Sequence, residues 1–467
     1  MAGSRRQEAV AGGRKQEAVA GGRSSLEERN NMQNRINAIK LLNAPKIKEL
    51  LYKLYGKDNR VIQEQIQRYG KIIKQYQNYF SSIPVHLFSS PGRTEIGGNH
   101  TDHNAGRVLA ATINLDSIAA VAETHDNTVT IYSEGYTDPF KVVLDDLEPK
   151  RKEEETTTAL IRGIAARFKE LGYNIGGFNA CISSNVMVGS GLSSSASIEV
   201  LIGTILNELY NEGNVSEETV AISGKYAENN YFNKPCGLMD QLTIAVGGIV
   251  SIDFRDSDNP IVTKVDFDIN AQNYSILVVD TGGNHADLTE DYASIPGEMK
   301  SVARELGGEV CRDITHKDLI EKVRQLRPKV GDRAILRALH FLEDNQRVLD
   351  QVEALEKGDF DTFLGLVNES GNSSCKWLQN CFTIKNPSVQ GITLALALTE
   401  NYLKNSGRRG ACRVHGGGFA GTIQVFMPNE LLKDYIRLIE GVFGKGGVTR
   451  INVRPIGAVF INSILTS

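Results

Sequence analysis

The 467-residue sequence lacks the features that would assign its class at a glance. It has no surplus of positive charge: 52 lysines and arginines stand against 56 acidic residues, a formal net charge of -4. Nucleic acid and an anionic membrane are therefore excluded as expected partners, since both are bound through a basic surplus. No apolar run approaches the roughly 18 residues of a membrane span. The charged N-terminus is not followed by the apolar segment of a secretory signal. The six cysteines (Cys181, Cys236, Cys311, Cys375, Cys381 and Cys412) form no C-x-x-C pair. That argues against a zinc ribbon or a disulfide framework, and the expectation is reduced thiols in a cytoplasmic protein. No G-x-x-x-x-G-K-[ST] occurs, so the phosphate loop of the Walker-type NTPases is missing.

What is present is an ordinary globular composition, 41% apolar and 23% charged, with 45 glycines gathered in a few short loops. At about 150 residues per domain the length predicts two or three domains. Residues 6–14 and 15–23 are a tandem repeat with almost no bulky apolar side chain, so residues 1–25 are expected to be a disordered tail. Residues 26–80 have helical composition, broken at Pro45 and Gly56. Ile47, Leu50, Leu51 and Leu54, then Ile62, Ile66, Tyr69, Ile72 and Ile73, recur at helical spacing, as packing helices laid on the main body do. Strands are expected at Val85–Phe88, ending in Ser89-Ser90-Pro91-Gly92, at Val108–Glu123, Thr128–Tyr132 and about 178–183, with a helix around 159–171. A first domain over 81–271 would give way to a second, 272–467, opening on the strand 275–279. Helices around 316–356 and 388–405 and strands near 422–427 and 451–461 would follow. Strands and helices mix without regular βαβ alternation, which favours α+β over a doubly wound sheet.

Four segments carry chemistry. Gly189-Ser190-Gly191-Leu192-Ser193-Ser194-Ser195-Ala196 runs from a strand-like stretch into an apolar stripe at helical spacing. Such a loop presents unpaired N–H groups and the positive end of a helix dipole to an anion, and small residues let phosphate oxygens approach. Pro91 to Asn104 packs Arg93, Thr94, Glu95, Asn99, His100, Thr101, Asp102 and His103 among glycines, a density suited to a hydroxyl-rich ligand. The pair His100 and His103 has no third ligand nearby and points only weakly to a metal. In Cys236-Gly237-Leu238-Met239-Asp240-Gln241 a carboxylate sits between apolar runs, with Glu228 upstream. Val414 to Thr422 brings four glycines beside a strand-like segment, a mark of close backbone approach.

In this order and spacing the segments resemble the GHMP kinase superfamily and, within it, the galactokinases, over roughly residues 60–467. The resemblance implies a two-domain GHMP fold, with a ribosomal-protein-S5-like N-terminal domain, a ferredoxin-like C-terminal domain and the active site between them. Here a helical extension precedes the two. It implies transfer of the ATP γ-phosphoryl group to the anomeric hydroxyl of galactose, with Mg2+. Matched to the family motifs, Asp240 is the catalytic carboxylate and Arg93 its partner. Gly189, Ser190, Gly191, Leu192, Ser193, Ser194 and Ser195 hold ATP. Ser195 and Glu228 are the magnesium ligands. Asn99, His100, Thr101, Asp102, Gly237 and Tyr292 bind the sugar. The partners implied are thus a sugar and ATP, the chain being a monomer or weak dimer. The chain departs from the pattern at Met187, where a proline is usual. It departs again at Glu95, Asn99 and His103, where the family usually has asparagine, glutamate and tyrosine. These changes leave open a kinase for a related sugar, such as an N-acetylhexosamine, a uronic acid or a pentose. A non-catalytic sugar and ATP sensor is the alternative from another class.

Overall fold

The structure, a computed structural model, describes residues 42–80, 86–187, 191–234, 236–283 and 288–462. The repeat expected to form a tail lies outside these residues, as do Val85, Gly189 and Ser190. The chain enters through α1 (Pro45–Tyr55) and α2 (Asn59–Phe80). Proline is tolerated at the start of α1, where its missing N–H breaks no helical bond, and Gly56, at φ 88°, ends it. The expected stripes are buried: Ile47, Leu50, Leu51 and Leu54 on α1, and Ile62, Ile66, Tyr69, Ile72 and Ile73 on α2.

They cover one face of an eight-stranded sheet. Its strands are β1 (His86–Gly97), β2 (Arg107–Glu123), β3 (Thr128–Ser133), β4 (Phe140–Val143), β5 (Phe178–Ser184), β6 (Ile249–Asp253), β7 (Ile261–Val265) and a C-terminal strand, β12 (Val459–Phe460). The order is β12-β1-β2-β5-β3-β4, with β6 and then β7 added on the other half of β2. β2 is apolar over residues 108–111 and 118–121, where both its faces are buried. Ala119 and Val121 face the helices α3 (Thr157–Glu170), α4 (Ser194–Tyr210), α5 (Glu217–Asn230) and α6 (Met239–Val246), while Ile118 and Ala120 face α1 and α2. β1 runs on through Pro91 and Gly92, where sequence reading ends it. The pairing register shifts between Pro91 and Arg93, so the N–H that proline lacks falls at a bulge.

The second sheet, β8 (Tyr274–Asp280), β9 (Ala411–Val414), β10 (Thr422–Pro428) and β11 (Val448–Ile451), is antiparallel in the order β11-β8-β10-β9. Numbered along the chain this is fourth-first-third-second, the ferredoxin-like order. Between β8 and β9 lie α7 (Thr289–Glu305), α8 (His316–Val330), α9 (Asp332–Glu356), α10 (Phe360–Ser373) and α11 (Gly391–Ser406); α12 (Leu432–Phe443) precedes β11. The helical region expected over 316–356 is two helices, parted at Gly331 with φ 82°. The strand expected near 451–461 is likewise two, β11 in the second sheet and β12 in the first.

Candidate active site

Arg93 rises from β1 where its neighbour is Gly92. A Cβ on Gly92 would lie 2.8 Å from the Leu192 carbonyl, so only glycine lets the strand pass beneath the 191–195 loop. That carbonyl accepts the Arg93 N–H at 3.1 Å, and Leu192 is fully buried. The loop is thereby pinned to the sheet. Gly191 (φ 72°) and Ser193 (φ 60°) make the tight turn that opens α4, whose first N–H groups have no partner within the helix. Ser194 and Ser195 occupy the first two helical positions and are half-exposed.

Asp240 stands in the first turn of α6. Arg93 forks onto it, Nε to Oδ1 at 2.7 Å and Nη2 to Oδ2 at 2.8 Å, and donates through Nη1 to the Gly191 carbonyl. The Ser193 hydroxyl, which does not cap its own helix, donates to Asp240 Oδ2. Burial alone would raise the Asp240 pKa. The Arg93 charge and the hydrogen bonds from Arg93 and Ser193 outweigh it and hold the carboxyl below its usual range. The side chain stays 31% exposed, so a ligand can reach it. Asp240, Arg93 and the 191–193 loop are thus joined by direct bonds.

Glu228 lies deep on α5, with Lys234 Nζ on Oε1 at 2.7 Å and Gln241 Nε2 on Oε2 at 3.1 Å. The same Gln241 nitrogen donates to Glu199 Oε2 at 2.8 Å. Glu199 is fully buried; burial first and the Glu228 charge second push its pKa well up. Glu199 Oε1 and Gln241 Oε1 are buried with no hydrogen-bond partner among the described residues. The Glu228 carboxylate offers hard oxygen donors of the kind magnesium takes, and Lys234 occupies one of them as a cation would. Among the described residues no three histidine, cysteine or acidic side chains group tightly enough to hold a metal by themselves.

The loop after β1 turns at Gly98 (φ 83°), His100 (φ 59°) and Ala105 (φ 60°). Thr101 is buried and pins that turn, its hydroxyl donating to Gly98 O at 2.8 Å and lying 2.5 Å from Arg107 O. Asn99 is buried and held at every polar group. Its N–H donates to Asp344 Oδ2 (3.0 Å), its carbonyl meets His340 Nε2 (2.9 Å), its Nδ2 donates to Glu95 Oε1 (3.0 Å) and Gly416 O (2.9 Å), and its Oδ1 accepts from Asn380 Nδ2 (2.8 Å). Glu95 in turn pairs with the fully buried Arg413 at 2.6 Å. The carboxylate at 95 and the amide at 99 therefore belong to one buried network. His100 and Asp102 are half-exposed. His100 Nε2 lies 2.9 Å from Gly417 O; burial lowers its pKa, so the neutral ring donates to that carbonyl. A Cβ on Gly237 would sit 2.5 Å from Asp102 Oδ2, so glycine there admits the aspartate beside the Asp240 segment. Tyr292 donates to Gly418 O at 3.0 Å and meets Phe419 edge-on.

Sequence reading gave Gln241 no role and did not name Lys234, Glu199, Asn380, Arg413, His340 or Asp344. Gln241 adjoins Asp240, which is a signal. The partners of Asn99 and Glu95 at 340, 380 and 413 are more than two hundred residues away, and no local pattern marks them.

A phosphate-type loop at a helix N-terminus, facing an arginine-bound carboxylate between two sheets, defines the class of GHMP small-molecule kinases. Residues 159–248 match the GHMP kinases N-terminal domain, and residues 74–123 match the galactokinase galactose-binding signature. A galactokinase of Glaesserella parasuis serovar 5 (strain SH0165) is 31% identical over 377 residues, covering 79% of this chain and 92% of that protein. One of Mannheimia succiniciproducens is 30% identical over 379 residues, 80% and 93% of the two chains. The chain belongs to the galactokinase family, sugar kinases within that class. In fold it is similar to the Lactococcus lactis galactokinase solved with galactose, at TM-score 0.71 and 22% identity over 83% of this chain and 98% of that one. The Methanococcus jannaschii mevalonate kinase superposes at TM-score 0.56 and 16% identity, over 79% and 98%. The fold is the two-domain α+β fold of the GHMP kinases.

Proposed function

We propose that this chain transfers the γ-phosphoryl group of ATP to the anomeric hydroxyl of galactose, giving galactose 1-phosphate and ADP. The observation that carries the reading is the bidentate Arg93–Asp240 pair, bonded to the 191–193 loop, with Asp102 packed against Gly237 in the same segment as Asp240. ATP would lie with its phosphates on the α4 N-terminus, against Gly189 to Ser195. The sugar would meet His100, Asp102 and Tyr292, while Asn99 and Thr101 shape the loop from beneath. A sugar hydroxyl is a poor nucleophile, and a carboxylate that accepts its hydrogen bond orients the oxygen and takes the proton as the bond to phosphorus forms. Asp240, held ionised by Arg93, is a weak base. That suits a loose phosphoryl transfer, which asks more of positioning and charge than of basicity. Arg93 also faces the charge that develops on the transferred group.

Magnesium would be held by Ser195 and Glu228 and would neutralise phosphate charge when bound. Lys234, now on Glu228 Oε1, marks where positive charge is favoured. We further propose domains over 81–271 and 272–467, with a helical extension whose described part, α1 and α2, packs on the first, and β12 crossing back to it. A cytoplasmic location accords with six free cysteines, and among the described residues no helix is long and apolar enough to cross a membrane.

The test is ADP release from Mg-ATP with galactose, N-acetylgalactosamine, glucose, galacturonate and arabinose. Turnover on galactose is expected, falling at least about a hundredfold in Asp240→Asn. Turnover on another sugar alone would overturn the galactose assignment, and near-normal turnover of the variant would overturn the role of Asp240.

A further inference from the structure

Asn380 lies in the run between a single wide turn of π-helix (Ser374–Leu378) and α11, and it is anchored on both sides. Leu378 is fully buried, and its carbonyl accepts from Arg337 Nε of α9 at 3.1 Å. Gln379 turns the chain in the left-handed conformation, φ 59°, its N–H donating to Ser374 O at 2.8 Å. Cys381 is buried among apolar side chains of β8, β9 and β10. Asn380 between them is itself fully buried.

The orientation of its amide follows from partners that can only accept. Asn99 Nδ2 donates to Glu95 Oε1 and Gly416 O, which uses both its protons and leaves Oδ1 as the acceptor. That oxygen takes Asn380 Nδ2 at 2.8 Å and Ser374 Oγ at 3.3 Å, which fills its two lone pairs. The Asn99 side chain therefore has no hydrogen bond left to give a ligand. The second proton of Asn380 Nδ2 goes to Gly417 O at 3.2 Å, the carbonyl that also receives His100 Nε2 at 2.9 Å. The Asn380 carbonyl accepts the Phe419 N–H. A Cβ on Gly418 would lie 2.7 Å from Asn380 Nδ2, so glycine there lets the 416–419 loop close on the amide.

We propose that Asn380 is a positioning residue for sugar binding, its one amide nitrogen fixing both the Asn99 turn and the Gly417 carbonyl on which the His100 ring is set. With Nε2–H on that carbonyl, the neutral ring has Nδ1 left to accept from a sugar hydroxyl. Without Asn380, the turn that carries His100 and the carbonyl that holds its ring lose their common tie. The bonds of Asn380 go to Asn99, Gly417 and Phe419, and none goes to Asp240, Arg93 or the 191–195 loop. The effect thus belongs to sugar affinity and not to the nucleotide. The proposal rests on the reading that His100 meets the sugar, and adds to it a residue that touches no substrate.

The test measures kcat and the KM values for ATP and for galactose, or for whichever sugar of the activity test turns over, in the full chain. Asn380→Leu keeps the volume and removes the donor; Asn380→Ala removes both. Each should raise the sugar KM at least about tenfold and leave the ATP KM within about threefold. Added to His100→Ala, Asn380→Leu should raise the sugar KM further by less than about threefold, since the ring it sets is gone. A near-normal sugar KM in Asn380→Leu, an equal rise in both KM values, or the full rise again on top of His100→Ala would each overturn the proposal. His100→Ala alone reports the underlying reading: an unchanged sugar KM in that protein would remove His100 from the sugar site, and the proposal with it.

Discussion

Asp240 owes its charge to Arg93 more than to water. Burial works against the carboxylate, and the guanidinium with its two hydrogen bonds reverses the sign. Replacing Arg93 with methionine removes that opposition, so the Asp240 pKa rises. A base is lost as pH falls through its pKa, so the acid limb of kcat/KM should move to higher pH in Arg93→Met, beyond the general fall in rate. A pH–rate series on the two proteins checks this, and an unmoved limb would detach Arg93 from the ionisation of Asp240. Both residues were legible in the sequence because each sits in a dense local motif. The serine hydroxyl that completes the pair was not, since Ser193 reads as one more phosphate-loop serine until the αL turn aims it at Asp240.

At the scale of elements, α1 and α2 are tied to the sheet by charge as well as by their apolar stripes. Asp116 of β2 is fully buried and bonded to Arg68 (2.5 Å), Tyr55 (2.6 Å) and Ser89 (2.5 Å), with Arg454 at 3.5 Å. Removing one partner of such a group strands the others in a dry site, at a cost of about 3–5 kcal/mol. Asp116→Ala should therefore lose about that much in chemical denaturation, while kcat of the folded fraction holds. The helices themselves were readable from periodicity, since their apolar residues recur on one face. Asp116 was not, because an acid within a strand-like run carries no mark of the arginines that reach it from residues 68 and 454.

Across the whole molecule, Asn99 and Glu95 join the two halves. The loop after β1 is gripped by His340 and Asp344 of α9, by Asn380 and by Arg413 of β9. Matched to the family motifs these two positions stand out in the sequence, but their contact with one another and their shared partners from the far end of the chain leave no local mark. Exchanging one at a time breaks the set: Asn99→Glu sets a second carboxylate against Glu95, and Glu95→Asn leaves Arg413 unpaired. Each single exchange should lose about 3 kcal/mol of stability. The double exchange should recover about 1–3 kcal/mol of the summed loss, as coupled neighbours do. Denaturation of the four proteins measures that coupling, and strictly additive losses would mean that the two residues act independently.

The contact between Arg454 and Asp116 also sets a clock on biosynthesis. The two residues are 338 positions apart, and Arg68, Tyr55 and Ser89 all leave the ribosome long before the second arginine. At about 5–20 residues per second the wait is roughly 17–68 s. Through that interval the nascent first sheet holds Asp116 with one arginine rather than two, and β1 has an open edge where β12 will pair. The first sheet is completed only by a strand made after the whole second sheet, so the nascent chain must guard that edge while the second sheet is being made.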